Sequence, residues 1–289
     1  MPAGFPDAET LAACERFALW LRQGGGLPVR GRPLSGGLSA GLDFEGHAEY
    51  RPGHDLRHLD WALYARLRTL NVRTFEDEGA GTLAVLLDAS ASMALGGKFE
   101  LARRMAAALV FAGLRVCHGV LLGVARDGAL DALPLTGGAA SFDHAMAWLA
   151  RVVPGGRTHL AASFTAAPRF AARGDAVILS DLFDPHGPEG ALDALQRAGW
   201  QADLVRITTA DEWWAPAPGV GLRDPESSAA ATAPTDTGAL TASLTAWREH
   251  TRAQALRRGS VVVEVDANAG LPQALTRFFS TVLAVRSHV

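Results

Sequence analysis

Beyond Gly81 the chain alternates short apolar runs with longer stretches in which apolar residues recur every three or four positions. The first run, Leu83-Ala84-Val85-Leu86-Leu87, is apolar at every position, as a strand buried on both faces requires. Similar runs predict strands over 82–88, 118–125, 175–180, 201–208 and 260–265, with a short edge strand over 129–135. Helical spacing predicts helices at about 98–116, 141–152, 159–172, 188–199, 239–258 and 271–285. The helix at 98–116 sets Leu101, Met105, Leu109 and Ala112 on one stripe, the pattern of a helix lying on a sheet. This alternation predicts an α/β fold with a mostly parallel sheet and helices on both faces.

The part before Gly81 reads differently. Residues 8–23 have helical spacing through Leu11, Phe17, Leu19 and Leu21, and Gly24-Gly25-Gly26 with Pro28 ends it. From 27 to 81 the sequence is rich in Gly, Arg and acidic residues, with a strand-like stretch at 70–76 and an amphipathic one near 59–68. The expected organisation is an N-terminal helix and irregular arm with some β-structure over 1–80, followed by the regular α/β domain over 81–289. Within the latter, 211–238 holds Trp213-Trp214, nearby prolines and an aperiodic Ser/Ala/Thr run, and is expected to be a long surface loop. No repeat of fixed period is present.

Composition narrows the class. With 48% hydrophobic and 20% charged residues the chain is globular rather than disordered, and a net charge of −3 argues against a general nucleic-acid binder. Lys98 is the only lysine; arginine carries the rest of the positive charge, which reads as genomic bias. Cys14 and Cys117 lack metal or redox spacing, so a disulfide framework is not expected. Glu15, Arg16 and Arg22 interrupt any export signal near the start, and the apolar stretch from Met105 to Leu114 is too short to span a bilayer. A cytoplasmic protein is expected.

The densest chemistry lies in Asp88-Ala89-Ser90-Ala91-Ser92-Met93, directly after the first strand. A carboxylate and two hydroxyls at alternate positions suit a hard cation, and Mg²⁺ usually takes one or two carboxylates and keeps several waters. Alone, the motif is better read as a strand-end turn whose Asp or Ser caps the next helix. Two further positions can join it, because ligands in open α/β sheets gather outside the carboxyl ends of the strands. Asp181 follows the run Ala176-Val177-Ile178-Leu179-Ser180, and Thr158 lies in the loop Gly155-Gly156-Arg157-Thr158 before a predicted helix. Leu95-Gly96-Gly97-Lys98-Phe99 lacks the upstream glycine and the following Ser/Thr of a phosphate-binding loop, and neither serine sits in Gly-x-Ser-x-Gly.

The set Asp88, Ser90, Ser92, Thr158 and Asp181 resembles the metal-ion-dependent adhesion site of von Willebrand factor A domains. That resemblance implies a von Willebrand factor A-like, Rossmann-like fold. It also implies a bound Mg²⁺, with Mn²⁺ or Ca²⁺ as alternatives, whose open position takes an acidic residue from a protein partner.

A second signature, Tyr50-Arg51-Pro52-Gly53-His54-Asp55-Leu56-Arg57-His58-Leu59-Asp60-Trp61 with Ala65-Arg66, is similar to that of the bacterial domain-of-unknown-function family numbered fifty-eight. His54 replaces the acid usual there, while Asp55, Arg57, Asp60, Trp61 and Arg66 agree. These five are expected to dock the arm or contact a partner, with Trp61 as an apolar anchor. His47, His54 and His58 have no defined zinc spacing. The family resemblance implies association with MoxR-type AAA+ ATPases, hence a non-enzymatic adaptor in a chaperone-like system. The alternative is a metal-dependent hydrolase using Asp88 with His159 as base.

Overall fold

The computed structural model describes residues 5–22, 43–49, 63, 71–76, 81–117, 119–165, 174–213, 216–217, 219–233 and 236–286. The chain divides into two compact units, Met1–Arg30 with Gly81–Val289, and Gly31–Ala80. In the smaller unit, β1 (Asp43–Glu49) pairs antiparallel with β2 (Asn71–Glu76), with an irregularity between Phe44 and Gly46. The β2 stretch carries a strand pattern in the sequence; the polar β1 does not. Asp55, Arg57, Asp60, Trp61 and Arg66, the contact candidates of the arm, lie outside the described residues, as do His54 and His58.

The larger unit is built on a six-stranded sheet of β3 (Thr82–Asp88), β4 (Gly119–Arg126), β5 (Ala129–Leu135), β6 (Gly174–Ser180), β7 (Trp200–Thr208) and β10 (Val262–Asp266). Its order is β10-β7-β6-β3-β4-β5, all parallel except β5, which returns antiparallel to β4. The β4–β5 turn is Asp127-Gly128, both at positive φ (51° and 75°), a pairing that matches the twist of a two-residue hairpin.

Strand side chains alternate between faces, and two cores result. Val85 and Leu87 point to the side of α2 (Lys98–Val116), where they share a core with Met105 and Leu109. Leu86 and Ile178 point the other way, into a core with Leu160 and Phe164 of α4 (Leu160–Phe164) and Leu192 and Leu195 of α5 (Glu189–Arg197). Helix α3 (Ala139–Leu149) contributes Met146 and Leu149 to the first core, and α7 (Leu271–Arg286) contributes Phe278 and Val282. Leu86, Leu87 and Val85 are fully inaccessible, so each contributes on the order of 1.5–3 kcal/mol by burial.

Helix α1 (Ala8–Arg22) packs on this unit rather than with the arm to which its sequence position assigns it. Phe17 stacks on Phe279 at 4.5 Å, and Arg104 of α2 pairs with Asp7 at 2.5 Å and Glu9 at 2.9 Å. Cys14 lies in the same contact, where burial pushes its thiol up to about 12 and keeps it protonated.

Residues 211–238 also differ from the expected loop. They include a small antiparallel hairpin, β8 (Gly221–Arg223) with β9 (Ala230–Thr232), before α6 (Thr237–Arg257). Both strands are exposed throughout, so no apolar pattern marks them in the sequence. Among the described residues no helix is long and apolar enough to cross a membrane.

Candidate metal centre

The chain lays β4 and β5 on one side of β3, then crosses to lay β6, β7 and β10 on the other. Connections diverge where the order reverses, which opens a crevice at the carboxyl ends of β3 and β6. Asp88 is the last residue of β3, Ser180 the last of β6, and Asp181 follows it. The Ser180 hydroxyl donates to Asp88 Oδ2 at 2.6 Å, and the Ser90 amide donates to Asp88 Oδ1 at 2.9 Å. Ser90 Oγ and Ser92 Oγ lie 3.0 Å apart.

Asp88 is thus held by neutral donors and is almost fully buried. Burial pushes its carboxyl up to about 7, and the neighbouring Asp181 charge pushes the same way against the hydrogen bonds of Ser180 and Ser90. After Asp181 the backbone enters the left-handed region at Leu182 (φ 61°), whose amide bonds Ser180 Oγ at 2.9 Å. A buried leucine in that conformation stores strain beside the crevice.

The Thr158 loop is tied to the Asp88 loop through its backbone. Gly155 N donates to Ala89 O at 2.8 Å and Ala91 N to Gly156 O at 3.1 Å. The β4–β5 turn holds its other side: Asp127 N donates to Arg157 O at 2.9 Å, and Asp127 Oδ1 accepts from Arg157 N at 2.7 Å. Gly156 has φ 77°, a conformation that favours glycine, and a Cβ there would stand 2.3 Å from Asp127 Oδ2, so that side chain would have to give up its place against the loop. Thr158 itself is buried, and its bonds run to a residue of the β8–β9 hairpin. Thr158 N donates to Glu226 Oε2 at 2.9 Å, and Thr158 Oγ1 to Glu226 Oε1 at 2.7 Å.

The structure therefore brings Asp88, Ser90, Ser92 and Asp181 together, docks the Thr158 loop beside them, and gives the Thr158 hydroxyl to Glu226. His159 immediately precedes α4, with its ring 5.9 Å from that of His186. Among the described residues no three His, Cys, Asp or Glu cluster as a metal site, so the oxygen set depends on hydroxyls.

Lys98, Glu212 and Glu226 make contacts at the crevice that no sequence motif marks. Lys98, the first residue of α2, is buried, and its Nζ donates to Asp181 Oδ2 and Glu212 Oε1, both at 2.6 Å. Burial works against its charge, but Asp181 and Glu212 outweigh burial and hold the ammonium above the usual lysine range. The available signal was that Lys98 is the only lysine in a chain of arginines. Nζ also lies 5.7 Å from the centre of the Phe183 ring, which stacks on Trp247 of α6 at 4.9 Å.

The sheet order and the helices around it make this a mostly parallel α/β domain, similar in fold to von Willebrand factor A domains. The chain belongs to the family described as "Protein of unknown function DUF58", whose model matches residues 47–262. Among solved structures, the SpRpn10 VWA domain is similar with a TM-score of 0.41 and 10% identity, over 68% of this chain and 94% of that one. A von Willebrand factor type A protein from Catenulispora acidiphila is similar with a TM-score of 0.34 and 18% identity, over 64% of this chain and 44% of that one. No curated protein matches the chain.

Proposed function

We propose that this domain is a non-enzymatic protein-binding module whose crevice holds a divalent cation, Mg²⁺ before Mn²⁺ or Ca²⁺, and through it grips an acidic residue of a partner. The observation that carries the reading is Asp88, a buried carboxyl bonded among the described residues by neutral donors and set beside a second carboxyl and two hydroxyls. Buried charge is costly unless paired, and the one ammonium of Lys98 serves Asp181 and Glu212 while the neighbouring Asp88 carboxyl has Ser90 and Ser180 as its hydrogen-bond donors. The donor set fits a hard cation, with Asp88, Ser90, Ser92, Thr158 and Asp181 as the residues to hold it. A bound ion would supply an electrophilic position for an incoming carboxylate. The family resemblance makes a MoxR-type AAA+ ATPase, or its client, the first partner to test, with this chain as adaptor.

Thermal unfolding in Mg²⁺ or Mn²⁺ against EDTA tests the metal directly. A ligand bound only by the native state stabilises by about 2.7 kcal/mol at a hundred times its Kd. The wild-type midpoint should rise with metal and that of Ser90→Ala/Ser92→Ala should not. A wild-type midpoint unmoved by millimolar metal refutes the reading.

A further inference from the structure

The contact between Glu226 and Thr158 joins segments 68 residues apart and uses both carboxylate oxygens. Glu226 stands at the tip of the β8–β9 hairpin, in a turn organised by its own bonds. Asp224 Oδ1 accepts from Glu226 N at 3.0 Å, Asp224 Oδ2 accepts from the Ser227 amide and hydroxyl, and Asp224 N donates to Ala229 O at 2.8 Å. Such a side-chain turn fixes the tip without help from the sheet domain. From Gly221 to Thr232 the residues are exposed except Glu226, which is half-buried. Strands of three residues with both faces in solvent gain little from their own pairing, and among the described residues the side-chain hydrogen bonds from the tip to the sheet domain are those of Glu226 to Thr158.

We infer that the Thr158 amide and hydroxyl form a carboxylate-binding subsite, filled within the chain by Glu226 and open to an acidic side chain of a protein partner once the hairpin lifts. Thr158 is buried, so its two donors need an acceptor, and a bidentate carboxylate satisfies both. Arg157, next to Thr158, also helps hold the Asp224 carboxyl below its usual range, after the larger effects of the Ser227 hydroxyl and the Glu226 amide. The hairpin tip thus presents an acidic pair to this loop, and a partner would need an exposed turn with the same chemistry. The subsite gains its biological use from the proposed function, of which it specifies the partner's landing point, but its chemistry stands without a metal.

The test follows the Thr158 amide of the full chain by ¹H–¹⁵N NMR in EDTA while sodium acetate replaces sodium chloride at constant ionic strength. In Glu226→Ala the resonance should move downfield and saturate with acetate, whereas the wild type should need at least tenfold more acetate for the same displacement. Equal responses in both proteins, or none in the variant, overturn the subsite. Glu226→Gln, which keeps the side-chain shape, must likewise respond more readily than wild type if the alanine variant fails to fold; an unchanged response overturns the subsite. A parallel Mg²⁺ titration reads the Ser90 and Ser92 amides. Movement there without an acetate effect removes the subsite and keeps the metal, and the converse outcome removes the metal and keeps the subsite.

Discussion

Replacing Lys98 with methionine keeps most of the side-chain length and deletes the charge. Lys98 Nζ holds Asp181, which is 0% exposed, and Glu212, whose side chain is 18% exposed, each at 2.6 Å. Without the ammonium, Asp181 is left as a buried carboxyl beside Asp88, and removing one partner of a buried pair costs about 3–5 kcal/mol. Glu212 retains water and adds little to that figure. For a domain of this size each kcal/mol shifts the midpoint by about 2–4 °C, so Lys98→Met should melt roughly 6–20 °C below wild type in EDTA. Circular dichroism on both proteins in EDTA measures it. Asp181→Asn placed on top of Lys98→Met should recover most of the loss, because a pair replaced by neutral groups leaves no uncompensated charge. A Lys98→Met midpoint within about 2 °C of wild type, or a double variant as unstable as the sum of the singles, refutes the reasoning.

Gly156→Ala should cost at least about 1–3 kcal/mol from positive φ alone, before its contact with Asp127, and should loosen the Thr158 loop. Gly155→Ala, with no atom within 4 Å of its Cβ, should be tolerated, and parallel melts of the two variants check this contrast. Glu264 predicts an acid-side effect. Burial works against its charge, but Arg248 and then Arg206 outweigh it and hold the carboxyl below its ordinary value of 4.5. A depressed carboxyl stabilises fully above its unfolded value and loses that contribution as pH falls through its folded one. Glu264→Gln should therefore be less stable than wild type at pH 7, and the gap should narrow below about pH 4. A gap that stays constant from pH 7 to pH 3 would exclude this source of stability.

The sheet was legible because its strands are nearly continuous apolar runs. Leu83 to Leu87 and Ala176 to Leu179 are buried on both faces, and the sequence shows this without knowledge of their neighbours. Once the strand order is inferred, Asp88 and Asp181 must emerge at carboxyl ends, and Ser90 and Ser92 follow because they are local to Asp88. The Gly155-Gly156 signal marked the Thr158 loop, though not what it is tied to.

Tertiary structure decided the rest. Lys98 looks like an ordinary helix start, and its meaning comes from Asp181 and Glu212, 83 and 114 positions away. Glu226 lies in an exposed, aperiodic stretch, and nothing local says that its carboxylate reaches Thr158. The helix Ala8–Arg22 joins the sheet unit through Phe17 and Arg104, a choice its own amphipathic pattern leaves open. Periodicity records which face of an element is buried, so it sets the strands, the helices and the first cluster of oxygens. Pairings between distant charges depend on where the folded chain brings them, and only the assembled sheet and its loops fix that.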